Sequence, residues 1–239
     1  MKNIRVELLT IGDEILYGQI VDTNSQWMSA ELSLAGFKVI RKTSVADEEK
    51  EIINAFAEAE QRADVILITG GLGPTSDDLT KPCLAKYFNC EVRIHEEALA
   101  EVTEFFKSRG RDLTEVNRQQ AALPVCCEKI TNAVGTAPGM WFRKNEKVFV
   151  SMPGVPHEMK RMMTYLIIPK LKETFPTPVI NHSIIRTVGI GESFLADKIS
   201  SWEKSLPAHF KLAYLPDLGG VKLRLTSIGA NREKLVLEA

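Results

Sequence analysis

The sequence predicts an α/β fold: a mostly parallel sheet with helical crossovers, followed by a small α+β unit. Three observations carry this. Val65-Ile66-Leu67-Ile68-Thr69 is an unbroken apolar, β-branched run, as expected of a strand buried on both faces. Strand and helix signals alternate through the first half of the chain, and strands separated by helices pair in parallel through βαβ crossovers. Phe175-Pro176-Thr177-Pro178 then places two prolines at alternate positions, which no helix continues through. The expected division is residues 1–175 and 176–239.

Ile4 to Thr10 reads as the first strand, ending at the polar turn Gly12-Asp13-Glu14. Asn24 to Ala35 has Trp27, Met28, Glu31, Leu32 and Ala35 at helical spacing, with Gly36 as a stop. Asp22 and Thr23 both stand where a helix N-cap belongs. Phe37 to Thr43 is a second strand, and Glu48 to Arg62 a helix with Ile52, Ile53, Phe56 and Ala59 on one face. Further helices are expected near Asp78–Phe88 and Glu96–Ser108, with His95 at the start of the latter. Val148 to Met152 is another buried strand. Pro156 opens a long helix whose Met159, Met162, Met163 and Leu166 fill the core. Past the prolines, His182–Val188, Glu192–Ser205, Lys211–Tyr214 and Val221–Ser227 read as strand, helix, strand, strand. Asn231–Leu235 looks like the start of a helix, and a further domain is expected beyond it.

Charge narrows the function. Thirty Lys and Arg face 31 Asp and Glu, and 44% of residues are apolar, so the chain is neither disordered nor a basic nucleic-acid binder. No apolar run reaches the ~18 residues of a membrane span, and no signal-peptide core follows Met1-Lys2-Asn3. Cys83, Cys90, Cys126 and Cys127 show neither zinc spacing nor a disulfide framework, so a reduced, cytoplasmic compartment is expected.

The strongest chemical signal is Thr69-Gly70-Gly71-Leu72-Gly73-Pro74-Thr75-Ser76-Asp77-Asp78. It leaves a buried strand and enters a helix. Glycines at three of four positions let backbone N–H groups approach a phosphate, and a helix N-terminus favours an anion. As a plain turn, the same segment would use Asp77 as a helix cap. It is neither a P-loop nor a dinucleotide fingerprint. Carboxylates beside a phosphate site imply a cation between them, and Mg²⁺ typically takes one or two carboxylates plus phosphate oxygens. Asp47, itself a plausible helix cap, and Glu14 lie in turns after other parallel strands, so all can converge on one crevice. Gly135-Thr136-Ala137-Pro138-Gly139 leaves room for a ligand. Met152-Pro153-Gly154-Val155-Pro156-His157-Glu158 is a second strand–turn–helix junction bearing one more acid. Asn117-Arg118-Gln119-Gln120 is either a ligand-orienting segment or an exposed helix face.

TIGDEIL with GQIVDTN, TGGLGPTSDDLT, NRQQA, GTAPG and MPGVPHEM occur in the order found in the N-terminal region of CinA proteins, and together they resemble that family. It falls within the MoaB/MogA/MoeA-like molybdopterin-binding superfamily. The resemblance covers nearly the whole chain and implies a three-layer α/β domain followed by a KH-like segment. It implies divalent-metal-dependent cleavage of the pyrophosphate of ADP-ribose or a related dinucleotide, with Mg²⁺, Mn²⁺ or Co²⁺ and room for a monovalent cation. Asp47 and Asp78 map onto the family's functional acids, and with Glu14 would hold the metal. Gly12, Asn24, Thr69 to Thr75, Gly135 to Gly139, Pro153 and Gly154 would surround the nucleotide. A pterin- or nucleotide-binding domain without turnover, and a molybdenum-cofactor biosynthesis enzyme, are the alternatives. The KH-like segment lacks a GXXG loop, which argues for a spacer or dimerisation unit rather than an RNA module. The expected partners are an ADP-ribose-like nucleotide and a second copy of the chain, with no nucleic acid and no membrane. Many relatives carry a C-terminal amidase acting on nicotinamide mononucleotide, an activity not expected of these 239 residues.

Overall fold

The computed structural model describes residues 3–230 and 232–238. Met1, Lys2 and Asn231, named above, lie outside the described residues. The chain divides into two compact units that part at Pro176, with Ser33–Gly36 grouped with the second.

The first unit is built on a six-stranded sheet. Strands β1 (Arg5–Ile11), β2 (Lys38–Val45) and β3 (Val65–Thr69) come early in the chain. Between them lie helices α1 (Asp13–Leu16), α2 (Thr23–Leu34) and α3 (Glu49–Arg62). Next come α4 (Thr80–Tyr87), β4 (Val92–Ile94), α5 (Glu96–Lys107), α6 (Glu115–Arg118) and a 3₁₀ turn at Gln119–Ala121. They are followed by β5 (Ala122–Pro124), β6 (Glu128–Ile130), β7 (Gly139–Lys144) and β8 (Lys147–Met152). The order across the sheet is β2-β1-β3-β8-β7-β6. The first four are parallel; β7 pairs antiparallel with β8, and β6 antiparallel with β7. All five residues of β3 are buried, as a central parallel strand requires. The one charge in the middle of β1, Glu7, is fully buried but accepts from Arg62 Nε and Nη2 at 3.0 and 2.8 Å, so it is not left unpaired.

The helix expected from Pro156 is interrupted. Helix α7 (Pro156–Met162) widens into a π-helical turn over Met163–Ile167 before α8 (Ile168–Thr174). Pro169 gives the reason: it has no N–H for the Tyr165 carbonyl and its ring crowds that group. Met159, Met162 and Met163 are buried, whereas Leu166 is 43% exposed, because the wider turn rotates it off the expected stripe.

The cysteines also depart from expectation. Cys90 and Cys126 form a disulfide with Cα atoms 6.1 Å apart. They flank the β4–β5 ladder, in which Val92 faces Pro124, so antiparallel pairing brings together residues 36 apart in sequence. Chain spacing alone gives no sign of this. Cys83 and Cys127 are free.

The second unit pairs β9 (Val179–Arg186), β10 (Phe210–Asp217) and β11 (Gly220–Gly229) in the antiparallel order β10-β11-β9, with helices α9 (Glu192–Ser205) and α10 (Arg232–Leu237). Its strands run longer than the sequence suggested. Alternate residues Val221, Leu223 and Leu225 point inward, and Leu195 of α9 packs on the first two. No helix among the described residues is long and apolar enough to cross a membrane.

Candidate functional site

Parallel pairing fixes where the chemistry gathers. The carboxyl ends of β1, β2, β3 and β8 lie side by side at Ile11, Val45, Thr69 and Met152. The loops leaving them meet around a cleft of about 430 Å³, within the ~300–1,000 Å³ span of small-ligand sites. Backbone bonds tie the loops at their roots: Gly12 N–H to Val45 O at 3.1 Å, and Gly70 N–H to Met152 O at 3.2 Å.

The glycine-rich loop depends on its glycines. Gly70 has φ +98°, and a β-carbon there would collide with the carbonyl oxygen of Ile11. Gly71 has φ +61° and leaves its space to the Thr80 side chain, whose hydroxyl donates to Gly70 O at 2.8 Å. Asp78 then closes the loop on itself. Its Oδ1 accepts from Gly73 N–H at 2.7 Å, and its Oδ2 from Thr75 N–H at 2.9 Å and the Thr75 hydroxyl at 2.5 Å. The capping bonds that the plain-turn alternative gave to Asp77 come from Asp78, and they close the loop rather than cap a helix. Helix α4 itself starts from Leu79 without a side-chain cap. The phosphate cradle expected across Gly70 to Thr75 narrows accordingly. Gly70, Gly73 and Thr75 have committed N–H groups, Pro74 has none, and Gly71 and Leu72 N–H remain uncommitted among the described residues.

Asp47 does not cap α3, which begins from Glu48 with no side-chain bond. It reaches across to the turn after β1. Asp47 Oδ2 accepts from Asp13 N–H at 2.9 Å, and Asp47 N–H donates to Asp13 Oδ1 at 3.3 Å. Burial raises the Asp47 carboxyl above the ordinary range. The Asp13, Glu14 and Asp77 carboxylates push it the same way, against the Asp13 N–H bond. Glu14 folds back over Gly12, where a β-carbon would stand 2.6 Å from its carboxylate. At the start of α2, Asp22 takes the cap, its Oδ1 accepting from Ser25 N–H at 2.8 Å.

Pro153, Gly154 and Val155 of the loop after β8, with Glu158 in the first turn of α7, line the cleft at the carboxyl end of β8. Asn24 braces this loop by donating from Nδ2 to Gly154 O at 2.7 Å. Buried Asn132 donates to Ala137 O at 2.9 Å and Glu158 Oε2 at 2.6 Å, while its Oδ1 accepts from Val134 N–H at 3.3 Å.

Of the expected site residues, Gly12, Glu14, Asp47, Gly70 to Pro74, Asp78, Thr136, Ala137, Pro153 and Gly154 line the cleft. Thr69, Asn24, Thr75, Gly135, Pro138 and Gly139 are not among the lining residues. Thr69 is fully buried and its hydroxyl has no partner among the described residues. Gly139 lies in β7 against the Met162 methyl. Two residues were under-read. Gln120 is buried at the cleft wall with its Oε1 unpartnered among the described residues, whereas Asn117, Arg118 and Gln119 are more exposed. Lys81 follows the loop in α4 and donates from Nζ to the Gln119 and Gln120 carbonyls at 2.9 and 3.4 Å. Burial lowers its pKa to about 8. A lysine just inside the helix behind a glycine-rich loop was the available signal.

Five carboxylates, Glu14, Asp47, Asp77, Asp78 and Glu158, line the cleft, and no Lys or Arg does among the described residues. No three His, Cys, Asp or Glu side chains there are grouped closely enough to hold a metal ion by themselves. Hard oxygen donors spaced around a cleft fit a cation that completes its coordination from ligand oxygens and water.

Comparison with known proteins agrees with this architecture. The family described as "Probable molybdopterin binding domain" matches residues 7–173, and "Damage-inducible protein CinA KH domain" matches residues 182–236. A CinA-like protein of Cytophaga hutchinsonii is 50% identical over 99% of the chain. One of Flavobacterium psychrophilum is 45% identical over 97%. The chain spans 56% of the length of each of these relatives. The crystal structure of CinA "with unknown function" from Thermoplasma acidophilum is 36% identical with a TM-score of 0.64, covering 72% of this chain and 99% of that one.

Proposed function

The chain belongs to the CinA family, and from that premise we propose a divalent-metal-dependent hydrolase that cleaves the pyrophosphate of ADP-ribose or a related dinucleotide. One observation carries the reading: five carboxylates and no basic side chain line the cleft among the described residues. A phosphate-bearing ligand enters such a cleft only with a cation. Asp47 and Glu14, with Asp78 at the edge of its loop, would hold Mg²⁺, Mn²⁺ or Co²⁺. Bound there, the ion offsets charge developing on the phosphates. The chain's own groups do the rest. Gly71 and Leu72 N–H groups contact a phosphate oxygen, and Gly154, braced by Asn24, lines the cleft beside them. Release of AMP from ADP-ribose by the purified chain with each metal, and its loss on chelation, is the test. Absence of turnover with all three metals rejects the reading. The commitment of both Asp78 oxygens to loop bonds favours the rival, a nucleotide- or pterin-binding domain without turnover. Calorimetry showing tight binding without AMP release selects it.

A further inference from the structure

We propose that Glu158 is the general base that activates the attacking water, and that Asn132 positions it. The inference rests on the hydrolase reading above and adds a named base to it.

The carboxylates around the cleft are not equivalent. Both Asp78 oxygens are taken by Gly73 and Thr75. Asp47 is bonded to Asp13 N–H and, with Glu14, stands at the ends of β1 and β2. Glu158 lines the cleft from the first turn of α7. Only its Oε2 is bonded, to Asn132 at 2.6 Å, and Oε1 has no partner among the described residues. Asn132 is 7% exposed and fully committed, so its amide cannot turn over: Oδ1 holds Val134 N–H while Nδ2 serves Ala137 O and Glu158. Gly135 leaves the space that the Glu158 carboxylate fills, since a β-carbon there would collide with it. A buried amide and a missing β-carbon thus fix one oxygen of a cleft-lining carboxylate and leave the other without a hydrogen-bond partner among the described residues, free to take a proton.

In the step itself, water oxygen bonds to one phosphorus while its proton passes to Glu158 Oε1. The bridging P–O bond breaks, and its electron pair stays on the leaving phosphate. Glu158 then returns the proton to solvent.

The test compares wild type, Glu158→Gln, Glu158→Ala and Gly135→Ala for AMP release from ADP-ribose, with thermal unfolding as the folding control. Glu158→Gln keeps an acceptor for Asn132, so folding is preserved. The expected result is a fall in kcat of about 10²–10⁴-fold with KM nearly unchanged. Formate should restore part of the turnover of Glu158→Ala, which a purely structural role would not allow. Gly135→Ala should lower kcat with Glu158 intact. Wild-type-like kcat in Glu158→Gln, recovery by excess metal, or absence of formate rescue overturns the inference and leaves the hydrolase reading standing. Failure of wild type to release AMP overturns both.

Discussion

The loops after the adjacent strands β3 and β8 line one cleft side by side, yet they are built in opposite ways. The first carries the conspicuous motif and spends its polar groups on itself: Asp78 binds Gly73 and Thr75, and Thr80 binds Gly70. The second makes few internal bonds and is held from outside, by Asn24 at Gly154 and by Asn132 at Glu158. A glycine-rich motif can therefore be chiefly a device for folding a tight loop, while the plainer loop leads into the helix that carries Glu158, a carboxylate with one oxygen uncommitted among the described residues.

Glycine substitutions should separate the two loops most sharply. Gly70→Ala combines φ +98° with a collision against the Ile11 backbone, so a loss of about 2–4 kcal/mol in stability is expected. Gly154→Ala meets the Gly70 backbone at 3.3 Å (Cα) and 3.7 Å (N) and needs no left-handed backbone, so a loss below about 1 kcal/mol is expected. Paired thermal or urea unfolding checks this, and equal losses would erase the contrast.

Asp78→Ala comes next. It removes three bonds to a charged acceptor, partly exposed, for which about 1–2 kcal/mol is expected. Ligand affinity should fall further than stability, because the uncommitted Gly71 and Leu72 N–H groups lose their fixed direction. Calorimetry with ADP-ribose and Mg²⁺ measures the affinity. Unchanged binding would mean that the loop keeps its shape without its acid.

Sequence reading captured the strand order's consequence but not its wiring. Apolar runs such as Val65–Thr69 and the strand–helix alternation identify the parallel sheet, since burial on both faces leaves that signature. The convergence of Gly12, Asp47, Gly70 and Gly154 follows from parallel pairing and was legible for the same reason. Capping was legible only in part: Asp22 caps its helix, but Asp47 and Asp77, which also stand where a cap would, do not, since tertiary contact sends Asp47 to Asp13 and the loop is closed by Asp78. The Cys90–Cys126 bond and the Asn132–Glu158 pair depend on residues far apart in the chain, and no local pattern encodes such distances.

On the second loop, Asn24→Ala should cost less than Asp78→Ala. It removes the 2.7 Å bond to Gly154 O but also one unpartnered buried oxygen, so the net loss is about 1 kcal/mol or less. Hydrogen exchange at Gly154 and Val155 should rise while that at Gly73 stays unchanged. Faster exchange in both loops would show that they move as one.

The smallest effect expected has the opposite sign. Burial and the Asp13, Glu14 and Asp77 carboxylates raise the folded-state pKa of Asp47. A raised carboxyl holds its proton more tightly folded than unfolded. Its contribution is therefore fully present below the ordinary carboxylate value of about 3.9 and lost as pH rises through the raised folded value. At neutral pH and without a divalent cation, ionised Asp47 works against the fold. Asp47→Asn keeps an oxygen to accept the Asp13 N–H and removes that charge, so the metal-free variant should melt slightly above wild type at pH 7. The difference should close as pH falls into the carboxylate range. Adding Mg²⁺ with ADP-ribose should reverse the order, because wild type alone gains the full cation contact. Thermal unfolding at the two pH values, with chelator and then with metal and nucleotide, reads all three differences. A metal-free Asp47→Asn that melts below wild type at neutral pH would show that Asp47 braces the β1 turn more than it charges the cleft.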